Sequence, residues 1–125
     1  MAVTRTLWKA DGKLAVSAMP GDDGPNILAA DEDDATLVGS STGVITRKGP
    51  LHAPAIDIDI PCELVESSTK GHFHLYIDKE ITADQYEAIL LALYKAGIVQ
   101  RGFYDSFVRR QQTFLRRPGV EKAST

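Results

Sequence analysis

Residues 56–78, IDIDIPCELVESSTKGHFHLYID, decide the class of fold. Ile56, Ile58 and Ile60 alternate with Asp57 and Asp59, the two-residue period of a half-buried strand. Pro61 ends that strand or bends it at an edge. CELVESS and HFHLYID then read as two strands joined by a turn at Lys70-Gly71. In the second of these, Phe73, Leu75 and Ile77 share one face, and His72, His74, Tyr76 and Asp78 share the other. An odd register sum across this hairpin would bring Ser67 and Thr69 onto the histidine face.

Beyond Asp78 the period changes. Thr82 with Gln85 three residues later forms a capping box. Tyr86, Ile89, Leu90 and Leu93 come next at helical spacing, so a helix is expected over 83–96. Gly97 stops it as a left-handed C′ residue, with Ile98 placed to pack back. A second helix is expected over about 102–112, using Phe103, Phe107 and Val108. A short strand, TFLR, and a frayed tail over 118–125 complete that end.

Upstream, residues 3–19 read as a hairpin turned at Asp11-Gly12. Residues 20–35 form a loop rich in Pro, Gly and Asp that contains a short strand at NILAA. A second hairpin is expected over 36–47, turned at Ser40–Gly43, and Lys48-Gly49-Pro50 breaks the chain after it. These elements predict an α+β fold. N-terminal β-hairpins and an antiparallel sheet are followed by two C-terminal helices packed on one face. Tyr86, Ile89, Leu90 and Leu93 are expected to meet Ile56, Ile58, Leu75 and Ile77.

The 125-residue length argues for one domain, taken as 1–117. The single cysteine, Cys62, rules out an intrachain disulfide and a four-cysteine zinc site. With no apolar run near the ~20 residues of a membrane span and no secretory leader, the expectation is a cytoplasmic protein with no membrane partner. Charge is unevenly distributed. Residues 1–94 carry 7 Lys/Arg against 15 Asp/Glu, whereas 95–125 carry 7 against 2. Arg109, Arg110, Arg116 and Arg117 thereby form a candidate nucleic-acid track. The plain alternative is a solvated charged tail.

Two carboxylates on one strand face, Asp57 and Asp59, suit a divalent cation such as magnesium or manganese, with substrate phosphate completing its shell. The same pattern also serves as a soluble strand face. Thr69-Lys70-Gly71 suits an anion-binding turn, since glycine opens backbone N–H groups. It equally suits an ordinary hairpin turn. His72 and His74, with a nearby aspartate, offer a zinc or iron site or a polar surface. No base accompanies Ser67 and Ser68 in a triad, which argues against nucleophilic hydrolysis.

IDIDI followed by ESSTKGHFHLYI resembles, in a partial and degenerate form, the motif order of archaeo-eukaryotic-type primase-polymerases. The resemblance implies that Asp57 and Asp59 fall on the metal pair, Lys70 and Gly71 on the phosphate-side turn, and His74 on the nucleotide-phosphate histidine. His72, Ser67 and Thr69 would be accessory. Those domains carry a third metal carboxylate that has no counterpart in TFLRRPG, so the resemblance implies nucleotide or nucleic-acid binding without full polymerase activity. The chain also resembles uncharacterised small proteins of actinobacteria and their phages with an SSTPGHxHLYID-type segment. Three function classes result: a primase-polymerase-like module that binds nucleotide or nucleic acid, a phage-type accessory protein that binds a host protein with no chemistry, and a small metal-dependent enzyme using the His/Asp face.

Overall fold

The computed structural model describes residues 3–10 and 26–117. The fold is α+β, with small antiparallel strand pairs preceding two helices, as the order of elements in the sequence predicts. The chain divides into two compact units, Met1–Asp57 and Ile58–Thr125. The expected turn at Asp11-Gly12 and the tail from Pro118 lie outside the described residues.

In the first unit, β1 (Leu7–Ala10) is the central strand of a three-stranded sheet between β2 (Asn26–Leu28) and β3 (Leu37–Val38). β2 is the short strand expected within NILAA. Trp8 pairs with Leu28 on one side and Leu37 on the other. Its indole N–H donates to Thr6 Oγ1 at 2.8 Å, and Gly39 lies so close that an added Cβ would sit 2.5 Å from Trp8 Nε1. A side chain at position 39 would therefore displace the indole.

The second hairpin differs from expectation. It consists of β4 (Ser41–Thr46) and β5 (Gly49–His52), and it turns at Arg47–Lys48 rather than at Ser40–Gly43. Gly49 and Pro50 continue the ladder instead of breaking it. Gly49 takes φ 105°, and Thr46 Oγ1 donates to its carbonyl at 3.0 Å while accepting from Lys48 N–H at 3.2 Å. Gly43, at φ 84°, lies within a register shift between Ser41 and Ile45, so it serves a bulge and not the turn. Arg5 donates to the carbonyls of Ala53 and Pro54 at 3.2 and 3.0 Å, which anchors the exit from β5. Lys9 and Asp34 pair at 3.1 Å. The Asp34 carboxyl sits below its usual range, first because Ala30 N–H donates to it and then because of the Lys9 ammonium.

Residues 55–60 form no strand. Ile56 and Ile58, both expected in the core, are exposed. Alternation alone predicts a strand only when a neighbouring strand accepts its ladder bonds, and AIDIDI has no ladder partner among the described residues.

In the second unit, β6 (Cys62–Glu66) and β7 (Phe73–Ile77) form a hairpin with Cys62 opposite Ile77 and Glu66 opposite Phe73. Asp78 N–H donates to Pro61 O at 2.9 Å and closes its open end. α1 (Ala83–Lys95) begins with the expected reciprocal cap: Thr82 Oγ1 accepts from Gln85 N–H at 3.2 Å, and Gln85 Oε1 accepts from Thr82 N–H at 3.0 Å. It ends in a Schellman pattern, with Gly97 at φ 76°, Gly97 N–H donating to Tyr94 O and Ile98 N–H to Leu93 O. Ile98 nonetheless remains exposed.

α2 spans Arg101–Arg110. Leu90 and Phe107 are buried to 3% and 2% exposure, and Tyr86 meets Phe107 edge-on at 5.0 Å. Tyr94 stacks on Tyr104 at 6.0 Å. Leu90 and Phe107 are thus buried between the helices, whereas Ile89 of the expected stripe is exposed. The hairpin face expected to cover α1 stays exposed, with Leu64 at 64%, Phe73 at 57%, and Leu75 and Ile77 at 48% each. Val108 is also exposed. TFLR is not a strand: residues 113–117 run as irregular backbone, held to α1 by a 2.9 Å hydrogen bond between Tyr86 Oη and Thr113 Oγ1.

Candidate functional site

The β6–β7 ladder has the odd register that places Val65 opposite His74 and Glu63 opposite Tyr76. Ser67, whose N–H donates to His72 O at 2.9 Å, therefore joins the histidine face as predicted. Thr69 does not, because it lies within the connection. That connection is a compact polar loop. Ser67 Oγ accepts from Thr69 N–H and donates to Thr69 O, each at 3.1 Å, and His72 N–H donates to the same carbonyl at 3.0 Å. Gly71 takes φ 81°, which a residue with a side chain adopts only under strain. Lys70 is exposed at the tip, and its own N–H and that of Gly71 donate to no described residue. His72 is exposed and His74 half-buried.

Asp57 and Asp59 are exposed, and they fall in different units of the chain. The strand that would have aligned their carboxylates on one face is not formed. Among the described residues, no group of three or more His, Cys, Asp and Glu side chains is gathered as a metal site. No helix there is long and apolar enough to cross a membrane.

A second location gathers chemistry that the motif pattern does not point to. An open groove of about 830 Å³ lies between the open end of the β6–β7 hairpin, the first turn of α1 and residues 113–117. Glu63, Tyr76 and Asp78 line one wall. Glu63 and Tyr76 are directly paired, and Asp78 is the diagonal neighbour of Glu63 on the same face. Cys62, Leu75 and Ile77, which belong to the hairpin's other face, also border the groove, together with Tyr86, Leu115 and Arg117.

The Tyr86–Thr113 hydrogen bond ties the chain after Gln111 to α1, and both residues border the groove. Gln111 caps α2 in the left-handed region at φ 58°, and its N–H donates to Phe107 O at 2.7 Å. Leaving the helix there, the chain presents Phe114 at 61% exposure between Arg109-Arg110 and Arg116-Arg117, all four of which are exposed. The sequence carries this pattern openly, as RRQQTFLRR, and Phe114 stands exposed within it.

Comparison with family models, with curated proteins and with solved structures finds no match. The class defined so far is an α+β protein with a basic, aromatic-bearing C-terminal segment beside a mixed polar groove.

Proposed function

We propose that this chain binds single-stranded nucleic acid through residues 109–117, a module of the nucleotide- or nucleic-acid-binding class without polymerase chemistry. The observation that carries it is Phe114, exposed to 61% and bracketed by two arginine pairs. Single strands are held by cations that track the backbone and by aromatic faces on which bases stack, and this segment supplies both within nine residues. None of the four guanidinium groups pairs with a carboxylate among the described residues. Arg109 and Arg110 also suit the negative end of α2, and that role leaves their exposed heads available to phosphate.

The test is fluorescence anisotropy with a labelled single-stranded oligonucleotide. Binding is expected at ~50 mM salt. With four phosphate contacts, log affinity should fall against log salt with a slope of about −3. Phe114→Ala should weaken binding by roughly five- to 150-fold, the range of one lost stacking contact. Replacing the four arginines by alanine should flatten the slope. Absence of binding at ~50 mM salt overturns the proposal.

That outcome would favour a second reading, the accessory protein that binds a host protein and performs no chemistry. Its support is separate: Leu64, Phe73, Leu75 and Ile77 form an exposed apolar face on the β6–β7 hairpin, the kind of surface that marks protein contacts.

A further inference from the structure

We infer that the groove beside the basic segment is a base pocket that takes a guanine from the bound strand; the inference rests on the proposed single-strand binding and assigns its specificity. The groove's position carries the first part. Arg117 belongs both to the basic segment and to the groove's lining, so a strand following the arginines passes the groove's mouth. At about 830 Å³ the groove admits a nucleobase with its sugar. Single-stranded bases are read by splaying them from the backbone, stacking them on aromatic rings and hydrogen-bonding their Watson–Crick edges. Tyr76, exposed on the hairpin, offers the ring.

The hydrogen-bonding groups carry the second part. Glu63, directly across from Tyr76, and Asp78, two residues further along its strand, share its hairpin face; both are exposed and border the groove. Neither forms an ion pair with a described residue. Ionised carboxylates only accept hydrogen bonds. Among the bases, guanine alone presents two adjacent donors on its Watson–Crick edge, N1–H and N2–H₂, matching the two oxygens of one carboxylate. Adenine and cytosine each present one donor beside an acceptor. Thymine and uracil present one donor between two carbonyls, which a carboxylate repels. Recognition by Glu63 and Asp78 therefore ranks guanine first and thymine or uracil last. The same carboxylates disfavour phosphate within the groove, which keeps the backbone on the arginine side.

The experiment compares a twelve-residue oligothymidine with the same oligomer carrying one central guanine, adenine or cytosine, by anisotropy on the full chain. The guanine oligomer should bind at least fivefold tighter than oligothymidine. Glu63→Gln with Asp78→Asn should remove that preference without lowering oligothymidine affinity. Tyr76→Leu should weaken the guanine oligomer more than oligothymidine. Equal affinity for the four oligomers, or a guanine preference that survives the double substitution, overturns the inference. Failure of oligothymidine to bind sinks the proposed function instead, and the groove is then read with free mononucleotides by ligand-observed NMR. Guanosine monophosphate binding that exceeds uridine monophosphate binding, and that is lost in the double variant, still supports the pocket. Equal or absent response to the two overturns it.

Discussion

The α1–α2 pair and the β6–β7 hairpin are neighbours in sequence, yet they solve the problem of their apolar residues in opposite ways. The helices cover each other: Leu90 and Phe107 reach 3% and 2% exposure, Tyr86 closes edge-on over Phe107, and both ends of α1 are capped by side chain or glycine. The hairpin satisfies its backbone through a ladder and a tight polar loop, but one whole face, from Leu64 across to Phe73, Leu75 and Ile77, stays exposed. Backbone hydrogen bonding and side-chain burial are therefore separate requirements. A two-stranded ribbon meets the first by itself and needs another layer for the second. In this molecule the helix pair buries Leu90 and Phe107, while Ile89 and the hairpin's apolar face remain exposed.

Substitutions in the two regions should separate them by magnitude. The largest effect is expected from Phe107→Ala, which empties the centre of the helix pair and should cost about 3–5 kcal/mol, read as a fall in Tm or in the urea midpoint. Phe73→Ser on the hairpin should cost far less, because its ring leaves little buried surface behind. Equal losses from the two would mean that the hairpin face is covered in solution. Next, Thr82→Ala should lower stability by about 1 kcal/mol by removing the cap of α1, measured by chemical denaturation. A change near zero would show that packing alone holds the helix start.

A third test concerns a contact as locally specified as that cap. Asp34 has its carboxyl held below the usual range by the Ala30 N–H and Lys9. Its stabilisation is therefore complete above the unfolded value of about 3.9, and it is lost as pH falls through the lower folded value. Tm followed from neutral pH down to about pH 2.5 should fall less steeply in Asp34→Asn than in the wild type. Parallel curves would remove Asp34 from the account.

The smallest effect is expected at the two aspartates that precede the hairpin. Asp57→Asn with Asp59→Asn changes two exposed side chains outside any strand, and stability should move by less than about 0.5 kcal/mol, with or without millimolar magnesium or manganese. A metal-dependent rise in Tm that this double substitution abolishes would restore the paired-carboxylate site.

Legibility tracks the range of the interactions. Thr82, Gln85 and Gly97 act on backbone groups within a few residues, so the ends of α1 are readable directly, and the structure reproduces them bond for bond. The odd register of β6–β7 is legible only as a condition, since its fulfilment depends on the loop from Ser67 to His72. The turn of the second hairpin is ambiguous in the sequence because Gly43 and Gly49 are equivalent as signals. Only the ladder shows that the chain turns at Arg47–Lys48, just before Gly49, and that Gly43 accommodates a bulge. Phe114 is visible between its arginines, but the strand role that its neighbours suggest needs a partner strand.

The amino-acid sequence alone sets the α+β class, the order of strands before helices, the capped helix α1 and the basic character of the last third. Each of these is fixed by composition or by contacts between near neighbours in the chain. Tertiary packing settles the rest: the helices pack on each other, AIDIDI forms no strand, Leu64, Phe73, Leu75 and Ile77 remain uncovered, and Glu63, Tyr76, Asp78 and Arg117 border one groove. Those outcomes depend on which apolar surfaces find each other first and best. That competition runs between distant segments of the chain, and no local pattern records its result.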